Sequence, residues 1–380
     1  MTALVIGGGP AGAALATRLA RADHHVVLLE RETGPVDKVC GEFLSREGGL
    51  YLESLGVDLD ALGAVPIDAL RLYERRGFAS VPLPFAALSL SRRVLDEALL
   101  QLCASAGAIV RRGTRVTELS RSGTRWSARL EGGSTVEATD AFLATGKHDL
   151  RSHKRPPGKQ SDLVAFKMYW RLAPRQAREL ERHVELILFE GGYAGLQPVE
   201  DGRANLCLLV RSRRLRALGQ RWDQLLAAMR AESPHLDLRL TGAEACWARP
   251  LALSAIPYGH VQRESGGLWR LGDQAAVIPS FAGDGMSIAL HSAELAATTY
   301  LAGRDADVYQ RRLARDVEAQ VLLSTLLSHG MVRTPGQRML GATARLWPGL
   351  LSSVALHTRV SDAALSRARE GPDPERRATA

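Results

Sequence analysis

Cysteine, aromatic residues and long apolar runs are all scarce in this chain, and each scarcity removes a class of protein. The four cysteines, Cys40, Cys103, Cys207 and Cys246, stand far apart and form no C-x-x-C pair. That argues against a zinc site or a disulfide framework and suits free thiols in a cytoplasmic protein. Aromatic residues make up only 5% of the chain, and no long basic run accompanies them. Nucleic-acid binding is therefore disfavoured, although 49 Lys and Arg against 41 acidic residues leave a net charge of +8. The surplus is scattered arginine, which serves solubility or the attraction of anionic ligands. No apolar run approaches the ~20 residues of a membrane-spanning helix. A strand pattern starting almost at Met1 leaves no room for a signal peptide. What the chain has is length: its 380 residues exceed the roughly 250–300 at which a single core stops growing, so two joined domains are expected. An apolar fraction of 46% is ample for their cores.

The most informative stretch is the first thirty residues. Leu4-Val5-Ile6 leads into Gly7-Gly8-Gly9-Pro10-Ala11-Gly12, a helical pattern follows to Arg21, and His25 to Glu30 reads as a second strand. Gly7 permits a tight turn, Gly9 lets a pyrophosphate approach the backbone, and Gly12 lets helix and strand pack closely. Orphan N–H groups and the positive helix end meet the phosphates, with Pro10 and Ala11 in the first turn. Glu30 at the tip of the second strand is placed to accept from a ribose diol and disfavours a 2′-phosphate. The expected ligand is an adenosine diphosphate such as that of FAD or NAD.

Beyond the loop at Arg31, the stretch from Asp37 through Lys38, Cys40 and Gly41 to Ser45 returns towards the middle of such a dinucleotide. Gly41 would let backbone lie against a flat ring with Cys40 beside it; a buried cysteine in a turn is the alternative reading. Helical spacing covers Arg46 to Leu55 and Val94 to Ser105, the latter closed by Gly107. Strands are predicted at Ile67–Tyr73 and Ala79–Pro84, an antiparallel pair at a sheet edge, at Ala108–Val110 and Thr114–Val116, and in a hairpin around Gly132-Gly133. Asp140 to Gly146 reads as a buried strand ending at Thr145-Gly146. Arg155-Pro156-Pro157-Gly158 is the expected linker. Strands at 163–172, 184–190, 204–210 and 252–258 and a helix from Trp222 to Glu232 then form a substrate domain. A strand from Leu268 to Gly272-Asp273 returns to the first domain. The Pro279-Ser280-Phe281-Ala282-Gly283-Asp284-Gly285 loop feeds a long helix from Met286. Of the histidines, His24, His25, His148, His183, His235 and His260 read as surface or capping residues, with His148 and Tyr258 within reach of a ring bound at the first domain.

Taken together, Gly7 to Gly12 with Glu30, Ser91-Arg92 followed by Leu95-Asp96, Ala144-Thr145-Gly146, and Gly272-Asp273 through Pro279 to Gly285 resemble the flavoprotein monooxygenases typified by para-hydroxybenzoate hydroxylase. They also resemble the geranylgeranyl reductases of the same fold. The resemblance implies an α/β fold: a Rossmann-type FAD domain of glutathione reductase type, an inserted β-rich substrate domain and a helical C-terminal region. The expected boundaries are 1–66, 88–158 and 266–304 for the FAD domain, 67–87 and 159–265 for the substrate domain, 305–365 for the helices and 366–380 for a frayed tail. Helical periodicity runs from Asp305 to Leu327 and from Gln337 to His357, where Leu322, Leu323, Leu326, Leu327, Leu346, Leu350 and Leu351 are expected to pack over the substrate domain.

The resemblance also implies non-covalent FAD. Arg92 would face its phosphate and ribityl region with Arg31 and Lys38 nearby, Asp273 would hold ribityl hydroxyls, and Gly283-Asp284-Gly285-Met286 would cradle the pyrimidine edge. Cys40 and Pro279 would lie beside the flavin as candidate catalytic residues, and Tyr193, Gln197, Tyr258 and Phe281 would meet the substrate. Two departures matter. Thr145 to Arg151 lacks the Asp-Gly motif that serves FAD and NADPH together, so NADPH or NADH acts directly or through a partner reductase. The segment Tyr193 to Pro198 resembles the reductases' substrate motif, with Gly195 and Gln197 in place of Trp and Phe. The paired-tryptophan halogenase signature is absent. Three functions are compatible: oxygenation of a hydrophobic or aromatic small molecule through a flavin hydroperoxide, reduction of a carbon-carbon double bond, and a flavin-bound redox sensor with Cys40 as its thiol. Gly195 and Gln197 favour the first by leaving a wider and more polar pocket wall than a long isoprenoid chain would favour. Peripheral membrane association and oligomeric state stay open.

Overall fold

The computed structural model describes residues 2–370. Its first layer is a five-stranded parallel sheet in which Thr2–Ile6 lies between His25–Leu29 and Asp140–Leu143, with Ile109–Arg111 and Trp269–Arg270 at the edges. Such a strand is apolar on both faces because both faces are covered. Ala3 and Val5 point to the helices Pro10–Arg21, Arg92–Ser105 and Gly285–Leu301, while Leu4 and Ile6 point to a three-stranded antiparallel sheet of Val116–Ser122, Arg125–Leu130 and Thr135–Ala138. Pro10 opens its helix at a position where the missing N–H is no loss.

The second layer is a nine-stranded mixed sheet. Leu163–Arg171, Arg203–Arg211, Gly192–Val199 and His183–Phe189 run antiparallel in that spatial order, and His183–Phe189 joins Val65–Glu74 in parallel. Period-two alternation splits its first strand. Phe166, Met168 and Trp170 face the helices Trp222–Glu232 and Pro234–Leu240, whereas Leu163, Ala165, Lys167 and Tyr169 face the first layer.

Several local readings differ from the structure. Gly192–Val199 is a central strand that its two glycines and one proline concealed; a Cβ on Gly192 would collide with the Leu209 carbonyl of the neighbouring strand. The strand expected from Thr114 begins at Val116, and the one expected to Tyr258 ends at Ser254, where Ala255 takes φ of 56°. The pair at 67–73 and 79–84 extends to Val65–Glu74 and Gly77–Ser89, and two-residue Phe43–Leu44 forms the edge beyond it. The helix expected over 337–357 is two helices, Thr334–Leu346 and Gly349–His357, because Pro348 disfavours helical backbone at Trp347. Fraying was expected from Ser366, yet Asp362–Glu370 is helical; the remainder of that stretch, 371–380, lies outside the described residues.

The leucine stripe is the largest correction. In the helix Ala306–Met331 the buried side carries Val317, Val321, Ser324, Thr325 and Ser328, while Leu322 and Leu326 are exposed, as are Leu346 and Leu350 further on. Two of these small polar residues are satisfied inside: Thr325 Oγ1 donates to the Val321 carbonyl at 2.6 Å and Ser328 Oγ to Gln160 Oε1 at 2.7 Å. Among the described residues no helix is long and apolar enough to cross a membrane.

Candidate flavin and substrate site

One cavity of about 1140 Å³ runs between the two layers. Its first end is the turn after Thr2–Ile6. Gly7 has φ of 106°, and a Cβ on Gly12 would press into the Gly7 carbonyl, so both positions require glycine for the close turn-to-helix contact. Gly12 therefore stands behind the cavity wall, while Gly7, Gly9, Pro10 and Ala11 line it. Glu30 is buried and shapes this end: its carboxylate accepts from Gly8 N–H at 2.6 Å and Glu32 N–H at 3.0 Å. Glu30 lines the cavity, and each carboxylate oxygen keeps a further lone pair for a ligand.

Along the floor, Arg92 grips Asp96 through two hydrogen bonds of 2.7 and 2.9 Å, and Lys38 reaches the same carboxylate at 2.9 Å. Burial works against the Asp96 charge, but Arg92 and Lys38 outweigh it and hold its pKa below the ordinary value. Lys147 pairs with Asp273 at 2.9 Å, and there too burial is outweighed by the cation, leaving the carboxyl below its usual range. Gln274 donates to the Gly146 carbonyl at 2.8 Å and so staples the Thr145–His148 turn to the Asp273 turn. Arg31 and His148 meet at 3.1 Å at the rim; burial, and then Arg31, lowers the imidazole pKa.

Lys38, Cys40, Gly41, Thr145, Gly146, Gly272, Gly283, Gly285 and Met286 all line the same cavity. Besides Gly12, two expected residues do not. Pro279 lies behind the wall, its neighbours Ile278 and Ser280 facing in. Asp284 turns away to accept from Ser45 Oγ at 3.2 Å and Val360 N–H at 3.1 Å, and burial raises its pKa to about 6. The helix Gly285–Leu301 must present backbone to the cavity, so its N-cap side chain points the other way.

A further group was not foreseen. Glu42, at φ of 63°, is fully buried with Lys167 at 2.5 Å and Tyr169 Oη at 2.7 and 2.8 Å. Its second oxygen accepts from Asn205 Nδ2 at 3.1 Å, and the same amide holds the Cys40 and Gly41 carbonyls at 3.0 and 2.9 Å. Burial raises the Glu42 pKa against the pull of Lys167. The network pins the Cys40 loop, whose thiol accepts from Glu42 N–H at 3.3 Å. A lysine inside an otherwise apolar strand was the available signal.

The far end is apolar, not the more polar wall expected from Gly195 and Gln197, because the Gln197 amide is taken up by Ser89. Leu70, Leu72, Leu83, Val184, Leu186, Leu188, Leu253, Ile256, Leu327, Met331 and Leu351 surround Gly195, Tyr193 and Phe281. Gln197 is spent on Ser89 Oγ at 2.6 Å, and Tyr258 Oη meets Ser280 Oγ at 2.8 Å. Burial pushes Cys207 up to about 12 and raises Tyr193 and Tyr258.

FAD fits this space. A Cβ on Gly41, Gly146 or Gly285 would meet no protein atom within 4 Å, so three backbone segments face open room along the wall. The Gly9–Gly12 helix start offers N–H donors, Glu30 a ribose acceptor, and Arg92, Lys147 and Asp273 charged groups beyond it. Bound there, FAD supplies two-electron redox chemistry, while the chain orients it and excludes water.

Comparison with known proteins agrees. Residues 3–163 match the model of the lycopene cyclase protein family. The chain is 29% identical to a menaquinone reductase of Mycolicibacterium smegmatis over 79% of this chain and 76% of that one. It is 28% identical to flavin-dependent halogenase armH1 of Armillaria mellea over 79% and 64%. It is also 27% identical to digeranylgeranylglycerophospholipid reductase 2 of Methanopyrus kandleri over 76% and 73%. The flavin-dependent brominase Bmp2 superposes with a TM-score of 0.75 at 16% identity, covering 97% of this chain and 98% of that one, which shows the fold. The chain is an FAD-dependent oxidoreductase, similar to these halogenases and reductases.

Proposed function

We propose that this flavoenzyme oxygenates the head of an amphiphilic substrate whose long apolar tail fills the far arm of the cavity. The observation that carries the reading is the chemistry of that arm. It is continuous with the flavin end, walled by aliphatic side chains, and its titratable groups, Tyr193, Tyr258 and Cys207, are made weaker acids by burial. A dry wall of this kind protects an oxygen-transferring reaction from water. Proton delivery to an isolated double bond would need an acid poised near neutrality, whereas among the described residues of the arm Tyr193, Tyr258 and Cys207 are all weaker acids than usual. Tyr193 and Phe281, edge to face with centroids 6.0 Å apart, form a surface for a flat head group.

A second reading, reduction of a carbon-carbon double bond, draws on Cys40. The thiol lines the cavity, as Arg92 does, and two of the relatives are reductases by name. NADPH or NADH supplies electrons in both readings, directly or through a partner reductase.

The deciding experiment incubates chemically reduced enzyme with phenolic, polyketide-like and isoprenoid amphiphiles, first under argon and then in labelled dioxygen. Label in the product, with turnover only in air, is expected. Full turnover under argon would transfer the assignment to double-bond reduction.

A further inference from the structure

The C-terminal helices wall the cavity with one side and leave the other bare. Leu340 and Val354 face the cavity, whereas Met339, Leu346 and Trp347 are 66%, 70% and 67% exposed. Met339 and Leu346 are two helical turns apart and share a face, and Trp347 continues it at the Pro348 break. Leu350 belongs to both surfaces, being exposed and lining the cavity. Gly77 of the neighbouring hairpin packs on the stem of Arg345, which reaches Glu74 at 3.2 Å. Contiguous exposed apolar surface of this kind marks an interaction site.

The charge around the patch selects the occupant. No Asp or Glu occurs from Ala319 to Ser361, while Arg333, Arg338, Arg345 and Arg359 do. Arg345 and Arg359 are paired to Glu74 and Asp284. Arg333 and Arg338 are exposed, as are Arg75 and Arg76 at the hairpin tip, and among the described residues none of these four is in an ion pair. A symmetric contact with a second copy would set these arginines against their own kind. Leucines and a tryptophan flanked by arginines, on helices too short to span, are the composition of a segment lying in the plane of a bilayer interface.

We infer that this face docks on an anionic lipid surface, with the cavity opening at Leu350 towards the acyl chains. The apolar side chains enter the headgroup boundary and the four free arginines meet anionic headgroups. The inference is independent of the reaction proposed above, since it uses only the outer face and the mouth of the cavity.

The test is flotation of the full-length, FAD-loaded protein with phosphatidylcholine vesicles, with and without phosphatidylglycerol. Binding to the anionic vesicles only, weakened by added salt, is expected, with a blue shift of tryptophan emission that Trp347→Phe removes. Leu346→Asp and Trp347→Ser should each reduce the bound fraction about tenfold while the spectrum of the bound flavin is unchanged. Arg333→Ala and Arg338→Ala should each weaken it about fivefold. Failure to bind either vesicle, or binding that ignores lipid charge and all four variants, overturns the inference. So does a concentration-dependent dimer in light scattering that Leu346→Asp abolishes, which would assign the face to a second copy.

Discussion

Lys147 Nζ stands 2.9 Å from Asp273 Oδ2, joining the turn after one strand of the parallel sheet to the turn after its edge neighbour. Both residues line the flavin end of the cavity, so the carboxylate suited to a sugar-alcohol chain is held ionised by a cation from the next turn. Lys147→Met leaves burial of that carboxylate with far less opposition. A depressed carboxyl contributes stability above its unfolded value of about 3.9 and loses it only as pH falls through the lower folded value. In the wild type, acid release of flavin from this cause is therefore confined to below about pH 4. In the variant the midpoint should rise by about one pH unit or more, read as the appearance of free-flavin fluorescence during acid titration. An unmoved midpoint would show that the pair does not govern cofactor retention.

Asp284 behaves in the opposite sense. Burial raises its pKa to about 6, so its contribution is fully present below the unfolded value and is lost as pH rises from about 4 to about 6. Asp284→Asn should abolish that part of the stability profile, worth up to about 3 kcal/mol. Flavin content should be unchanged, because the side chain does not line the cavity. The check is chemical denaturation at several pH values alongside the flavin-to-protein absorbance ratio.

The Glu42–Lys167 pair is buried, and removing one partner strands the other. Glu42→Gln or Lys167→Met alone should cost about 3–5 kcal/mol, whereas the double variant should recover a large part of that loss. Denaturant midpoints of the four proteins form the cycle. Strict additivity of the two losses would mean the pair does not act as a unit.

Gly195 leaves room for a ring, since the atom nearest its would-be Cβ is the Cys207 carbonyl at 3.8 Å. Gly195→Phe should keep the fold and the flavin yet raise KM at least about tenfold for long-tailed substrates by filling the arm. Equal KM values for short-tailed and long-tailed substrates in this variant would place the tail elsewhere.

The dinucleotide turn was legible in the sequence because its chemistry is local. Gly7, Gly9 and Gly12, the helix behind them and Glu30 all fall within thirty residues, and each is required by backbone geometry that one short segment sets. The helices Arg46–Leu55 and Trp222–Glu232 were legible for the same reason, periodicity with clear ends. Gly192–Val199 was not, because a central strand with glycines and a proline is stabilised by its neighbours on both sides and not by its own propensity.

Sequence alone thus determined the dinucleotide-binding turn, since it follows from spacing along the chain. Tertiary structure alone decided which charges meet. Asp273 finds Lys147 from 126 positions away and Glu42 finds Lys167 from 125, and no local pattern encodes such pairs. It also decided which side of the C-terminal leucines is covered. Helical periodicity predicts that an apolar stripe exists, but whether that stripe meets a core, a cavity or the outside depends on how the layers beneath it are already filled. Here Ser324, Thr325 and Ser328 occupy the inside, and Leu346 and Trp347 are left facing out.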